Sequence, residues 1–380
     1  MLIVRSPVRI SFGGGGTDLP AYYEKYGGAI LSTTINKYFY TILSGRDDGK
    51  VQIISSDLQA VEHWDNLAQM NVQGRKLELP LAVLKTLGQH VSINLFLASE
   101  IPPGTGLGSS ATVCVNLLKA LTTYLRLPAS KYEIAERAFD IARNVLGKPV
   151  GKQDEYAAAF GGLNFITIGR DGTTQVEPLP VPSHVKRELQ QNLMLFFTGA
   201  AHDSWDILRE QEKSSMQEAV ASLHEIRHLA ERMRGALLNG ELNLFGKLLD
   251  QGWQAKKTLS GKISNSHIDD LYALAKNHGA LGGKIAGAGG GGFLILYCEQ
   301  PQQAALRQAF AEKEIPELRF EFEADGAQAI VNDPFLDGDS HCGLRWSFAL
   351  SGAYSRNNDH KFKMESGACA AWTRSPGTLL

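Results

Sequence analysis

Apolar and polar positions along the chain divide it into short alternating runs and longer stretches with helical periodicity. Residues 2–12 (LIVRSPVRISF) combine β-branched residues with partial alternation and stop at a glycine block, which predicts a strand. Further strands are predicted over 28–34, 38–44, 51–55, 92–98, 162–168 and 192–198. Helices are predicted over 109–125, 130–146, 203–239, 241–257, 266–278 and 301–313. In 130–146 the apolar stripe Ile134, Ala138, Ile141, Val145 follows the three-four spacing of a buried helix face. No regular strand–helix alternation runs through the chain, which argues against a doubly wound parallel sheet. Strand-rich stretches followed by helix-rich ones favour an α+β architecture. The expected organisation is a mixed α+β domain over 1–190 and a helix-rich α+β domain over 191–333. From Pro334 onward periodicity is lost, and 334–380 reads as a poorly packed tail of uncertain structure.

Composition narrows the function classes. Of 380 residues, 43% are apolar and 21% charged, with 38 basic and 40 acidic side chains and a formal charge of -2. There is no basic excess to attract nucleic acid or an anionic membrane. No apolar run is long enough to span a bilayer, and the N-terminus has no leader-like pattern. The expectation is a soluble cytoplasmic protein, its oligomeric state open and a homodimer included. Four scattered cysteines (Cys114, Cys298, Cys342, Cys369) give no support to a disulfide framework or a structural zinc site.

Glycine carries the first chemical signal. Thirty-nine glycines are about 10% of the chain, above the ~7% of ordinary proteins. They cluster at Gly13–Gly16, at Gly104, Gly106 and Gly108, and at Gly282–Gly292, as expected where backbone approaches a ligand. The sharpest segment is EIPPGTGLGSSAT (100–112), between a predicted strand and a predicted helix. Free N–H groups and the positive helix end would meet there, around Ser109, Ser110 and Ala111, which suits a polyphosphate. The alternative is a glycine-bearing strand-to-helix turn with a serine N-cap.

The segment PPGTGLGSSA resembles the signature motif of the GHMP small-molecule kinases. SPVRISFGGGGTDLPAYYEKYGG resembles their first motif and KIAGAGGGGFLILY (284–297) their third, all in order over residues 1–330. Within that family, GGGTDLP and VGKQDEYAAAFGG (150–162) look closest to the sugar-1-kinases acting on D-glycero-D-manno-heptose 7-phosphate, and fucokinase-type domains share much of the pattern. The resemblance implies a two-domain α+β fold with ATP in the interdomain cleft. It also implies transfer of phosphate to the anomeric hydroxyl of a sugar phosphate, with Mg²⁺, for activated-heptose biosynthesis.

Residue by residue, the resemblance assigns ATP to Pro103, Gly104, Thr105, Gly106, Leu107, Gly108, Ser109, Ser110 and Ala111, with Ser110 also facing Mg²⁺. Asp154 takes the position of the catalytic aspartate; the plainer alternative is a first-turn helix Asp. Arg9 would point into the cleft to meet phosphate charge or fix Asp154; the alternative is a surface strand Arg. Gly15, Gly16, Thr17, Asp18, Lys152, Gln153 and Gly289 would border the sugar, although Asp18 could instead cap a helix beginning near Leu19. For a terminal phosphate on the sugar, the cations Lys25, Lys37, Arg46, Arg143 and Lys152 are available. In 198–211, His202, Asp203 and Trp205 either select the sugar or cap a helix. One departure stands out: Ala142 occupies the place where many relatives carry a metal-binding Glu. That leaves open weaker metal binding, replacement by Asp140 or another carboxylate, or a non-catalytic sugar and ATP sensor. A fucokinase-like activity is the nearest enzymatic rival.

Overall fold

The computed structural model describes residues 1–333 apart from 67–70, 73, 75, 89, 200–208 and 210–215. The chain opens with β1 (Leu2–Gly13), α1 (Pro20–Tyr26) and the long β2 (Gly28–Gly45), then β3 (Val51–Ser55) and β4 (Ala60–Trp64). Next come α2 (Glu78–Leu87), β5 (Ile93–Ser99), α3 (Ser109–Tyr124), α4 (Lys131–Asp140), α5 (Gln153–Phe160), β6 (Leu163–Ile168) and β7 (Thr174–Pro178). The second half runs α6 (Ser183–Asn192), β8 (Leu193–Phe197), α7 (Met216–Leu238), α8 (Leu242–Lys257), α9 (Ser266–Asn277) and β9 (Ala280–Ile285). It ends with β10 (Phe293–Cys298), α10 (Gln300–Ala311), β11 (Phe322–Glu323) and β12 (Gln328–Asn332).

Two sheets result. A nine-stranded sheet has the path β12-β1-β2-β5-β3-β4, with β6, β7 and β11 joined to it through β2, and a three-stranded sheet has the order β8-β10-β9. The strands predicted at 28–34 and 38–44 are one continuous strand. Its first part pairs with β6 (Gly28 opposite Ile168) and its last part with β5 (Gly45 opposite Ile93), so both ends are hydrogen-bonded through the polar Asn36–Lys37 step. The boundary expected at 190 does not separate the strand pairing. β11 returns to β2, and β12 to β1, with Met1 N donating to Asp333 O at 2.7 Å. The expected helix over 130–146 divides into α4 and a π-helical turn, Ile141–Val145, which carries Ala142. Such turns in helices often mark functional sites.

The core formed by the large sheet with α2, α3 and α5 includes Val4, Leu43, Leu95, Leu117 and Tyr156. A second core, with Phe12, Leu31, Phe245, Leu249 and Ile295, joins β1 and β2 to α7, α8 and the small sheet. α3 is pinned beneath the large sheet by Asn116, whose Nδ2 donates to Val4 O (3.3 Å), Ser6 Oγ (2.9 Å) and Phe39 O (3.1 Å). A buried amide needs such partners, and these fix where the first turn of α3 stands. The predicted tail and residues 200–208, with His202, Asp203 and Trp205, lie outside the described residues.

Candidate active site

β1 brings Arg9 to the glycine-rich loop, where its backbone N donates to Leu107 O (3.0 Å). Its Nη1 donates to Gly106 O at 2.6 Å, and its Nε and Nη2 donate to Asp154 Oδ1 and Oδ2, both at 2.7 Å. This is a two-pronged guanidinium–carboxylate pair, strong and directional. The Arg9 side chain is 4% exposed and that of Asp154 is 26% exposed, so the carboxylate is open on the cleft side. Asp154 sits in the first turn of α5.

The loop before α3 is shaped by glycine. Gly106 has φ +83°, and a Cβ there would lie 2.3 Å from Ala286 O. The third glycine segment, between β9 and β10, therefore braces the loop from behind, and Phe293 N donates to Thr105 O at 3.2 Å. Gly108 caps α3 in the left-handed region (φ +80°) with no side-chain cap. A Cβ on Gly108 would stand 3.3 Å from Asp154 Oδ2 and 3.4 Å from Arg9. The uncapped helix start and Asp154 therefore share one place. A cleft of about 510 Å³ opens over them.

Asp18 forms the adjoining corner. Its Oδ1 accepts from Gly16 N (3.0 Å) and its Oδ2 from Gln153 N (3.2 Å). Gly151 lies so close that a Cβ would be 2.0 Å from Asp18 Oδ2. The cap position of α1 is Leu19, without a side-chain cap, so the helix-capping alternative for Asp18 does not hold. Burial, then the nearby Asp154 charge, raises the Asp18 pKa above the ordinary carboxylate value. The same two causes raise Glu155 further.

Of the residues expected at the site, Arg9, Gly15, Gly16, Asp18, Pro103, Gly104, Gly106, Gly108, Ser109, Ser110, Ala111, Gln153 and Asp154 all line the cleft. Four expected residues stand behind its wall. Thr105 is fully buried, its hydroxyl donating to Pro102 O (2.9 Å), and Leu107 is packed into the core. The hydroxyl of Thr17 donates to Gly14 O (2.8 Å) and Ala29 O (3.2 Å), holding the first glycine turn. Gly289 packs on Ile263, whose O a Cβ would approach to 2.8 Å. Lys152 also departs from expectation. Although adjacent to Gln153 in sequence, it is turned away, and its ammonium donates to Glu136 Oε1 and Gly172 O, both at 2.7 Å. None of Lys25, Lys37, Arg46, Arg143 and Lys152 lines the cleft; the lysines that do are Lys148, Lys256 and Lys284.

Several lining residues escaped the sequence reading, notably Ser11, Glu78, Glu155, Lys256 and Lys284. A signal for Lys256 existed. It continues the stripe Phe245, Leu249, Trp253 on the buried face of α8, where an isolated charge is out of place. Lys284 lies within the third glycine segment, where nothing in the local pattern distinguishes it from a surface lysine. Ser11 Oγ, Ser109 Oγ, Gln153 Oε1 and Glu155 Oε2 are buried, line the cleft and lack a hydrogen-bond partner among the described residues. Such atoms call for an explanation in bound solute or water. Oxygens of this kind match the donor preference of Mg²⁺. Ala142 lines the cleft near them, whereas Asp140 is exposed and bonded to Asn144 (2.7 Å). No cluster of three or more His, Cys, Asp or Glu side chains able to hold a metal exists among the described residues.

An open helix start, a braced glycine loop and an Arg-held carboxylate in one cleft suit phosphoryl transfer. Residues 78–162 match the GHMP kinases N terminal domain and residues 233–315 the GHMP kinases C terminal. The chain is 31% identical to the D-glycero-alpha-D-manno-heptose 7-phosphate kinase of Campylobacter jejuni over 86% of its own length and 97% of that protein. It therefore belongs to the GHMP kinase family and is an ATP-dependent phosphotransferase, a sugar kinase with the family's two-domain fold. A crystal structure of a D-glycero-D-manno-heptose 1-phosphate kinase from Bacteriodes thetaiotaomicron superposes with a TM-score of 0.75 at 29% identity, covering 88% of this chain and all of that one. The chain is also 26% identical to an L-fucokinase/L-fucose-1-P guanylyltransferase of Bacteroides fragilis over 84% of its length, spanning 37% of that protein. No helix among the described residues is long and apolar enough to cross a membrane.

Proposed function

We propose that this kinase phosphorylates the anomeric hydroxyl of D-glycero-D-manno-heptose 7-phosphate, giving the 1,7-bisphosphate for activated-heptose biosynthesis. The observation that carries the catalytic reading is the contact between the α3 start and Asp154, 3.3 Å from the Gly108 Cβ position. The choice of sugar rests on the likeness to heptose kinases.

In this reading the amides from Gly104 to Ala111 hold the ATP phosphates at the positive end of α3. Gly15, Gly16, Asp18 and Gln153 hold the sugar. Asp154 has two of its lone-pair directions committed to Arg9, and its cleft-facing side accepts a hydrogen bond from the anomeric hydroxyl. That bond directs the oxygen at the γ-phosphorus. As the new O–P bond forms, the bond from the γ-phosphorus to the β,γ-bridging oxygen breaks, ADP leaves, and the hydroxyl proton passes to Asp154. Arg9 keeps Asp154 in place and presents positive charge beside the loop. Mg²⁺, when bound with ATP, would offset phosphate charge; Ser110 at the rim, with Ser109 Oγ and Glu155, would supply hard oxygen donors for it in place of a carboxylate at Ala142.

Turnover of ATP with heptose 7-phosphate and Mg²⁺, with phosphorus NMR of the product, tests this. A new anomeric phosphate supports it. Turnover only with sugars lacking the 7-phosphate moves the protein to a fucokinase-like role, and no turnover despite binding of both ligands makes it a sensor.

A further inference from the structure

Lys256 and Lys284 have no task in that mechanism. Lys256 lies in the last turn of α8 and Lys284 near the end of β9; both line the cleft although only 7% and 5% exposed. Lysine is almost never so deeply buried unless its charge is paired. The other cations near the cleft obey this rule: Arg9 is paired with Asp154, Lys148 with Glu78 (2.6 Å) and Lys152 with Glu136 (2.7 Å). Lys256 donates to the backbone carbonyl of Gly287, and neither Lys256 nor Lys284 has a carboxylate within ion-pair distance among the described residues. Gly287 in turn abuts Gly106 of the phosphate loop, a Cβ on it falling 2.7 Å from Gly106 Cα. The pair therefore stands beside the point where Arg9, the loop and Asp154 meet.

Burial and then the neighbouring Arg9 charge push Lys256 down to about 8, against a smaller opposing pull from the Asp18 and Asp154 carboxylates. Burial, Lys256 and Arg9 push Lys284 well below the ordinary lysine range. Two buried ammonium groups that repel one another and face open space are costly in the free protein, and an anion between them removes that cost.

We propose that Lys256 and Lys284 form a subsite for a phosphate dianion, distinct from the amide cradle at the start of α3. The assignment rests on the sugar-kinase reading. Two sources of the same chemistry can fill it: the phosphate the acceptor sugar already carries, or the γ-phosphoryl group during transfer.

The test compares Lys256→Met and Lys284→Met with the wild-type enzyme on heptose 7-phosphate and on the same heptose without its phosphate. Loss of a charged hydrogen bond is expected to change the affected parameter by about 10- to 100-fold. A KM increase confined to the phosphorylated sugar assigns the subsite to the acceptor's phosphate. A fall in kcat of equal size on both sugars assigns it to the group in transit. Wild-type kinetics on both sugars in both variants overturns the proposal. Should the variants fail to fold, calorimetry on the wild-type enzyme at about pH 8.5, in two buffers of different ionisation enthalpy, replaces them. Proton uptake on binding heptose 7-phosphate, or on binding ATP, is the expected result; none with either ligand overturns it. If wild-type enzyme turns over no sugar phosphate, the proposed function has failed. If it does and the lysine variants are unimpaired, only this inference has.

Discussion

The starts of α3 and α4 are built from similar material and finished in opposite ways. At α4, Ser130 Oγ accepts from Glu133 N (3.2 Å) while Glu133 Oε2 accepts from Ser130 N (2.7 Å), a closed capping box. At α3 a left-handed glycine takes the cap position, no side chain turns back, and the hydroxyl of Ser109 has no partner among the described residues. Every helix start exposes N–H groups and partial positive charge. The α4 box satisfies two of those N–H groups with its own side chains; the α3 start has no side-chain cap and faces the cleft. An open start alone is no functional signal, since α1 and α6 also lack a side-chain cap; what sets α3 apart is the carboxylate of Asp154 and the cleft beside it.

The largest expected effect comes from the carboxylate facing the open start. Asp154→Asn keeps the shape and removes the proton acceptor, and should lower kcat by about 10²- to 10⁴-fold. ATP affinity should stay close to wild type, because the amides of α3 are untouched. Single-turnover rates and a nucleotide titration separate the two; a variant with unchanged kcat would remove Asp154 from the mechanism.

Filling the open start should come next. Gly108→Ala puts a methyl 3.3 Å from Asp154 Oδ2 and asks alanine to hold φ +80°. The left-handed conformation alone costs about 1–2 kcal/mol. Both a lower Tm and an ATP KM raised about tenfold are expected, the latter equivalent to 1.4 kcal/mol. Normal ATP binding in a stably folded Gly108→Ala enzyme would mean that the α3 start is not the phosphate cradle.

The contrast can also be sharpened by pH at the lysines beside the loop. Lys256, lowered to about 8, loses its charge as pH rises through that value, so kcat/KM for the phosphorylated acceptor should fall above about pH 8. Its share of stability has the opposite sign. Between about 8 and the ordinary lysine value of 10.5 the unfolded chain holds the proton and the folded one does not, so this contribution rises with pH. Lys256→Met should flatten the alkaline limb of the rate profile and reduce the pH slope of the unfolding free energy. An alkaline limb identical in both enzymes would assign it to another group.

How far the sequence revealed this arrangement depends on the scale at which each residue is placed. The glycine loop was legible because a strand, a Pro-Gly turn and an apolar helix follow one another directly over 93–124. Arg9 and Asp154, 145 residues apart, came from motif resemblance, since no local pattern brings β1 to α5. Lys152 is expected at the sugar because, with Gln153, it flanks Asp154 in sequence. At a helix start, however, consecutive side chains point in different directions, and Lys152 turned to Glu136 instead. Lys256 is the opposite case: its helical phase on the buried stripe Phe245, Leu249, Trp253 is readable, but that phase says only that it is buried, not that a cleft opens beside it. β9 and β10 were concealed by the glycines between them, and β12 by its pairing with β1, more than 300 residues earlier, through contacts no local window contains.

The smallest effect completes the comparison by opening the closed start. Ser130→Ala removes the acceptor for Glu133 N and leaves the Glu133 carboxylate only half of its box. Loss of a serine N-cap costs about 1 kcal/mol, within a range of about 0.5–2. Ser130 does not line the catalytic cleft, and the apolar face of α4 through Ile134, Ala135 and Ala138 is unaltered. The expected outcome is therefore a modest fall in unfolding free energy in urea, with kcat and both KM values unchanged. Ser130→Ala, which removes a cap, should thus act on stability alone, whereas Gly108→Ala, which adds a methyl to an open start, should act on both stability and ATP binding. If Ser130→Ala instead weakened ATP binding as strongly as Gly108→Ala, the division between a closed helix start and an open one would have no functional meaning.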